Sequence, residues 1–260
     1  MTSQGVVYVD ETVDQYRDIR LPANWRIHYE PEWGSLQASL QWCYGEYPDA
    51  SQYGWLADDT YPRTHGWDKI VERATGDWRL SYCADGWFSN TGELQQLIEG
   101  NNMSSGLCWG GELVRAVEAW SIPPECRQAG IDLAWLDIAR PLGLHQYLPD
   151  VLVEHWNWRT GKRPKDSGDE WTRKGDAYID RDIVAHRDWY ASTRFRDAID
   201  RVCEASAASA LQLARAGATK QLSSLDETIG IARIPAARRL RLEAEVAREV
   251  QSAYANQGPA

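Results

Sequence analysis

The sequence predicts an α/β fold, a mostly parallel sheet flanked by helices with a C-terminal helical extension, and three observations lead there. Short β-branched and aromatic runs alternate with segments whose apolar residues recur at helical spacing. Several of those runs end in acidic residues, at the strand ends where open α/β sheets bind ligands. From Asp182 onward only helical periodicity remains. The 260 residues suffice for one such domain and an appendage, divided as 1–190 for the α/β domain and 191–260 for the helical extension.

The elements follow in order. Val6-Val7-Tyr8-Val9 is the first strand signal and closes on Asp10; the alternating run Trp25-Arg26-Ile27-His28-Tyr29 is the second. Between residues 34 and 47, Leu36, Leu40, Cys43 and Tyr44 recur at helical spacing, and Pro48 ends the segment. Tyr53-Gly54-Trp55-Leu56-Ala57 reads as a strand that runs straight into Asp58-Asp59. A helix over 64–74 follows, then strands near 78–83 and 107–109, then a helix over 111–120 that stops before Pro123-Pro124. A last strand over 148–153 delivers Glu154-His155. Beyond Asp182 one helical face carries Phe195, Ile199, Val202 and Leu213, and a second carries Leu240, Ala244, Ala247, Val250 and Tyr254, with a break expected over 217–224. Those faces pack either on their own domain or in a homo-oligomeric interface.

Charge and composition narrow the classes. The net charge is −10, and residues 1–155 hold 10 Lys and Arg against 23 Asp and Glu, so any nucleic-acid contact would fall to the C-terminal half. The 14 Trp and 12 Tyr against 2 Phe favour rings with a polar edge, which suit sugar or base stacking as well as core packing. No run approaches the ~18 apolar residues that cross a bilayer, and no basic segment precedes an apolar one at the N-terminus, which predicts a soluble, cytoplasmic protein without a membrane span. Five scattered cysteines without a CxxC pair predict reduced, mostly buried thiols.

Adjacent carboxylates at a strand end offer oxygen ligands to a hard divalent cation such as Mg²⁺ or Mn²⁺, with substrate phosphates completing the shell. Asp58-Asp59 is such a pair, although before Thr60-Tyr61-Pro62 it also fits a solvated turn or a helix cap. The segment from Tyr53 through Asp58-Asp59-Thr60-Tyr61-Pro62-Arg63-Thr64-His65-Gly66-Trp67-Asp68 resembles the metal-binding segment of GT-A-fold glycosyltransferases, in a bacteriophage and bacterial branch of the family-2-like enzymes. The resemblance continues through Gly110-Gly111-Glu112-Leu113-Val114-Arg115, Ile122-Pro123-Pro124, Asp132, Trp135, Gly143, Leu148-Pro149-Asp150 and Glu154-His155, covering about residues 6–190.

The resemblance implies a GT-A-like domain that moves a sugar from a nucleotide-sugar donor, a UDP-sugar above all, to an acceptor hydroxyl with the help of Mn²⁺ or Mg²⁺. Asp59 would be the principal metal ligand, Asp58 its partner or a contact to the ribose, and His155 the third protein ligand. Asp132 would be the general base of an inverting reaction, with Asp137 as the fallback; a helix cap is the structural alternative for Asp132. Asp10 would hold the base or ribose, although the sequence seen here starts after the first βα unit usual in such enzymes. Lys162 and Arg163, within a segment of four cations and two indoles, would lie over the diphosphate as a lid, or else belong to a solvated basic loop. The resemblance to phage-encoded members implies hydroxymethylated pyrimidines in DNA as acceptor, with a surface or lipid-linked glycan as competitor. A metal-dependent phosphoesterase, or a scaffold without catalysis, is the alternative class for the same residues.

Overall fold

The computed structural model describes residues 5–10, 19–30, 36–57, 59–86, 107–117, 125–126, 130–156, 162–164 and 181–215. The first two strands, β1 (Gly5–Asp10) and β2 (Trp25–Glu30), pair in parallel as a small separate sheet, with Asp10 opposite Glu30. Helix α1 (Leu36–Glu46) fastens this sheet. The Arg26 guanidinium reaches Glu46 at 2.8 Å and lies 5.0 Å from the Trp42 ring and 5.4 Å from the Tyr47 ring, while His28 rests on Trp42 at 4.0 Å.

The main sheet has five strands: β3 (Gln52–Trp55), β4 (Thr60–Pro62), β5 (Leu80–Ala84), β6 (Leu107–Gly110) and β7 (His145–His155). Their order is β3-β6-β5-β7-β4. Only β5 and β7 are parallel neighbours; β3 with β6, β6 with β5, and β7 with β4 are antiparallel. The sheet is therefore mixed, not mostly parallel as the strand and helix alternation predicts. An apolar pattern marks which residues form strands but not their direction. Here β3, β5 and β7 share one direction, β6 is inserted upside down between the first two, and β4 is inverted at the edge. At three residues, β4 is also too short to show an alternation.

Period-two alternation splits the apolar residues between two cores. Leu80, Tyr82, Leu107 and Trp109 face one side, where they meet Leu113 and Val114 of α3 (Gly111–Ala116) and Trp135 and Ile138 of α4 (Ile131–Ala139). Cys83, Cys108, Leu148, Val151 and Val153 form the other core with α2 (Trp67–Thr75), which contributes Trp67, Ile70, Val71 and Ala74 at the spacing of one helical face. That helix starts at Trp67, three residues later than the pattern suggests, because Gly66 sits in the left-handed region with φ 69°.

Two more helices, α5 over 181–191 and α6 (Thr193–Arg215), close the first core with Trp189, Ala198, Val202 and Cys203. The described part of the C-terminal region thus packs on α3 and α4 of this same chain. The second helical face at 240–254 and the break at 217–224 lie outside the described residues, as do residues 118–120 of the helix expected over 111–120. All five cysteines are free, and burial pushes the thiols of Cys83 and Cys126 up to about 12 and that of Cys108 up to about 11. Trp78, Trp109, Trp135 and Trp189 are buried, so packing accounts for these four indoles. Among the described residues no helix is long and apolar enough to cross a membrane.

Strand β7 is not continuous in its pairing. Leu148 pairs with Cys83, but the next β5 residue, Ala84, pairs with Leu152, so Pro149, Asp150 and Val151 bulge out of this ladder. Beyond the bulge, Val153, Glu154 and His155 pair along their other edge with β4.

The junction from β6 into α3 passes close to the start of β5, and Gly110 makes that possible. A Cβ there would stand 2.2 Å from the Asp77 carbonyl atoms and 2.5 Å from the Trp78 nitrogen. Gly110→Ala is expected to cost about 1–3 kcal/mol in urea unfolding. Gly45→Ala, on α1 with nothing within 4 Å of the added methyl, is expected to gain about 0.5–1 kcal/mol in the same assay.

Candidate functional site

The candidate centre forms where β5 and β7 finish side by side. The His155 N–H donates to the Asp85 carbonyl at 2.8 Å, just past the end of β5. On the other flank Thr60 lies opposite His155 in the β4 ladder, and the Trp156 N–H donates to the Asp59 carbonyl at 2.7 Å. A tight turn precedes β4: the Thr60 N–H and hydroxyl both donate to the Ala57 carbonyl, at 3.1 and 2.6 Å. These backbone constraints bring the Asp59 carboxylate to 3.0 Å from His155 Nε2, although 96 residues separate them. Both side chains are only about one-fifth exposed, at 20% and 18%.

Cations gather beside this pair. The Arg163 guanidinium stands 4.0 Å from Asp59 Oδ2, and its Nε donates to the Trp156 carbonyl at 2.8 Å. Lys162 Nζ donates to the Gly86 carbonyl at 2.8 Å and pairs with Glu154 Oε1 at 3.1 Å. The other Glu154 oxygen accepts from Arg63 Nε at 2.8 Å. The Glu154 carboxyl is held down to about 2, first by the Trp156 indole and then by Arg63 and Lys162. That indole N–H is buried and falls short of a well-formed hydrogen bond. Gly86 adopts φ 66°, and a Cβ there would press on Leu152 at 3.0 Å and Lys162 Nζ at 3.3 Å.

The donor set fits a hard divalent cation as half a site. Two ligands in adjacent positions of an octahedron with ~2.1 Å bonds lie about 3 Å apart. Asp59 Oδ2 and His155 Nε2 have that separation. The same 3.0 Å is a hydrogen-bond distance, and among the described residues no group of three or more His, Cys, Asp or Glu side chains could hold a metal ion, so a cation here would need further ligands. Asp58, expected as the partner ligand, lies outside the described residues.

Asp132 and Asp137 sit on α4, and their contacts run to α5. Asp137 Oδ2 is 3.0 Å from His186 Nε2. Asp132 accepts from the Leu133 N–H at 2.9 Å; it lies inside the helix, while the cap position belongs to Gly130 at φ 80°. Burial raises the Asp132 carboxyl pKa, partly offset by the Leu133 N–H and by the charge of His186. Asp10 ends β1 in the separate two-stranded sheet.

Sequence reasoning passed over Arg63, Tyr61, Gly86 and His186. None of them had a legible signal: Tyr61 and Arg63 lie in or beside a three-residue strand too short to carry a period, and the partner of His186, Asp137, is 49 residues away. Comparison with protein-family profiles, with curated proteins and with solved structures returns no match.

The raised Asp132 pKa has a measurable consequence. A carboxyl whose folded pKa lies above its unfolded one favours folding below the unfolded value and loses that contribution as pH rises through the folded value. The melting temperature of Asp132→Asn relative to wild type is therefore expected to rise from pH 4 to pH 7, by about 1–4 °C. Calorimetry at the two pH values checks it, and a fall in the difference would show that burial does not dominate at this carboxyl.

Proposed function

We propose that this chain is a metal-dependent glycosyltransferase of the GT-A type, moving a sugar from a UDP-sugar to an acceptor hydroxyl. The single observation that carries the reading is the 3.0 Å approach of Asp59 to His155, two residues that the resemblance alone names as metal ligands. Chance would not be expected to join them across 96 residues at a strand-end site.

In this reading Asp59 and His155 would hold Mn²⁺ or Mg²⁺, and Asp58 would be a further ligand. The bound cation supplies charge neutralisation of the diphosphate as it departs. The protein does the rest. Arg163, 4.0 Å from Asp59, and Lys162, paired with Glu154, would be the cations whose charges stabilise the leaving diphosphate. Asp132, with its raised pKa, takes the proton from the acceptor hydroxyl in an inverting displacement. Asp137 is engaged by His186 and is the weaker candidate for that role. Asp10 contacts the nucleoside.

A thermal-shift titration with MnCl₂ and UDP tests the proposal. Saturating Mn²⁺ with UDP is expected to raise the wild-type melting temperature by about 5 °C or more, since a ligand that binds only the folded state stabilises it. Asp59→Asn and His155→Ala are each expected to lose most of that shift. An equal shift in Asp59→Asn would overturn the site assignment, and cleavage of a phosphodiester without sugar release from UDP-sugars would overturn the reaction class.

A further inference from the structure

The edge of the sheet beside Asp59 carries a second binding feature. In the β4 ladder Tyr61 lies opposite Glu154, and Thr60 opposite His155. Thr60 and Val153 are buried, so Tyr61, Arg63, Glu154 and Trp156 occupy the outward face. Tyr61 is 46% exposed, and its ring centroid stands 5.2 Å from that of Trp156 at an interplanar angle of 57°. The Arg63 guanidinium lies 5.5 Å from the Tyr61 ring and 5.6 Å from the Trp156 ring while its Nε holds Glu154.

We propose that Tyr61, Arg63 and Trp156 form a carbohydrate-stacking subsite that receives the acceptor sugar. This deepens, and rests on, the glycosyltransferase reading above. A pyranose presents one face of C–H groups, which suits an exposed ring, and hydroxyls at its rim, which suit fixed hydrogen-bonding groups. The outward face offers both. Glu154 pairs with both Arg63 and Lys162 and offsets one of their two charges, so the face keeps a single net positive charge, which favours a neutral ligand over a polyanion that gains most from several uncompensated charges. The side chains are held in place beforehand by the ion pairs and ring contacts, so a ligand has little ordering cost to meet. Location adds to the case: Tyr61 is two residues from Asp59, a span of about 7 Å, and although the His155 side chain lies on the opposite face, with Thr60, a ring resting on Tyr61 approaches the centre from its Asp59 side.

Ligand-observed saturation-transfer NMR on the full chain tests the assignment. The probes are the methyl glycosides of β-glucose, β-galactose, α-mannose and N-acetyl-β-glucosamine. At least one is expected to bind the wild type, with affinity weakened about fivefold or more in Tyr61→Ala and retained within about twofold in Tyr61→Phe. Tyr61→Leu keeps apolar bulk on the strand without a flat ring and is expected to weaken binding as Ala does, which separates lost stacking from lost folding. Absence of binding by all four glycosides, or binding that survives both Tyr61→Ala and Tyr61→Leu, overturns the subsite. Binding of oligothymidylate in place of the glycosides overturns it too and marks the face as a nucleic-acid platform. Failure of the underlying reading registers separately, as no Mn²⁺ and UDP shift in the wild-type chain.

Discussion

The arrangement depends on one strand serving two partners. Strand β7 lies against β5 along one edge, before and after the bulge, and gives the other edge of its last three residues to β4. Without that double pairing Asp59 and His155 would belong to unrelated parts of the surface. The ladder, more than the charges, holds the centre together. Ion pairs with exposed partners are worth ~0–1 kcal/mol each, and Arg63 keeps nearly half its side chain in solvent. Backbone bonds from Trp156 to Asp59 and from His155 to Asp85 are what fix the positions that the side chains then refine.

Much of the scaffold was legible because it is written in apolar spacing. The pattern of Trp67, Ile70, Val71 and Ala74 marks α2 without ambiguity, and Leu107-Cys108-Trp109 divides its side chains between two cores as a doubly covered strand must. Strand direction was not legible. Nothing in the composition of β6 says that it runs against both neighbours, since hydrogen-bond partners are chosen by the whole sheet. Strand β4 escaped notice because three residues with a proline carry no period.

The candidate centre divides in the same way. Asp59 and His155 could be named from a resemblance in order and type, and their meeting is a tertiary fact that the linear pattern only hints at. Asp132 could be named but not placed, because a carboxylate near a helix start looks the same whether it caps the helix or, as here, follows a left-handed Gly130. Lys162 and Arg163, read from the sequence as part of a lid or of a solvated basic loop, engage the backbone carbonyls of Gly86 and Trp156 beside the Asp59 and His155 pair.

The excursion at Pro149, Asp150 and Val151 acts as a phase-setter for everything beyond it. Side chains alternate along an extended chain, so the count of residues looped out decides whether the imidazole or the neighbouring carboxylate ends up beside Asp59. Dropping one residue from that excursion would swap the two, setting acid against acid where base now meets acid. Natural variation in this protein's lineage should therefore tolerate changes of identity within the excursion far more readily than changes of length.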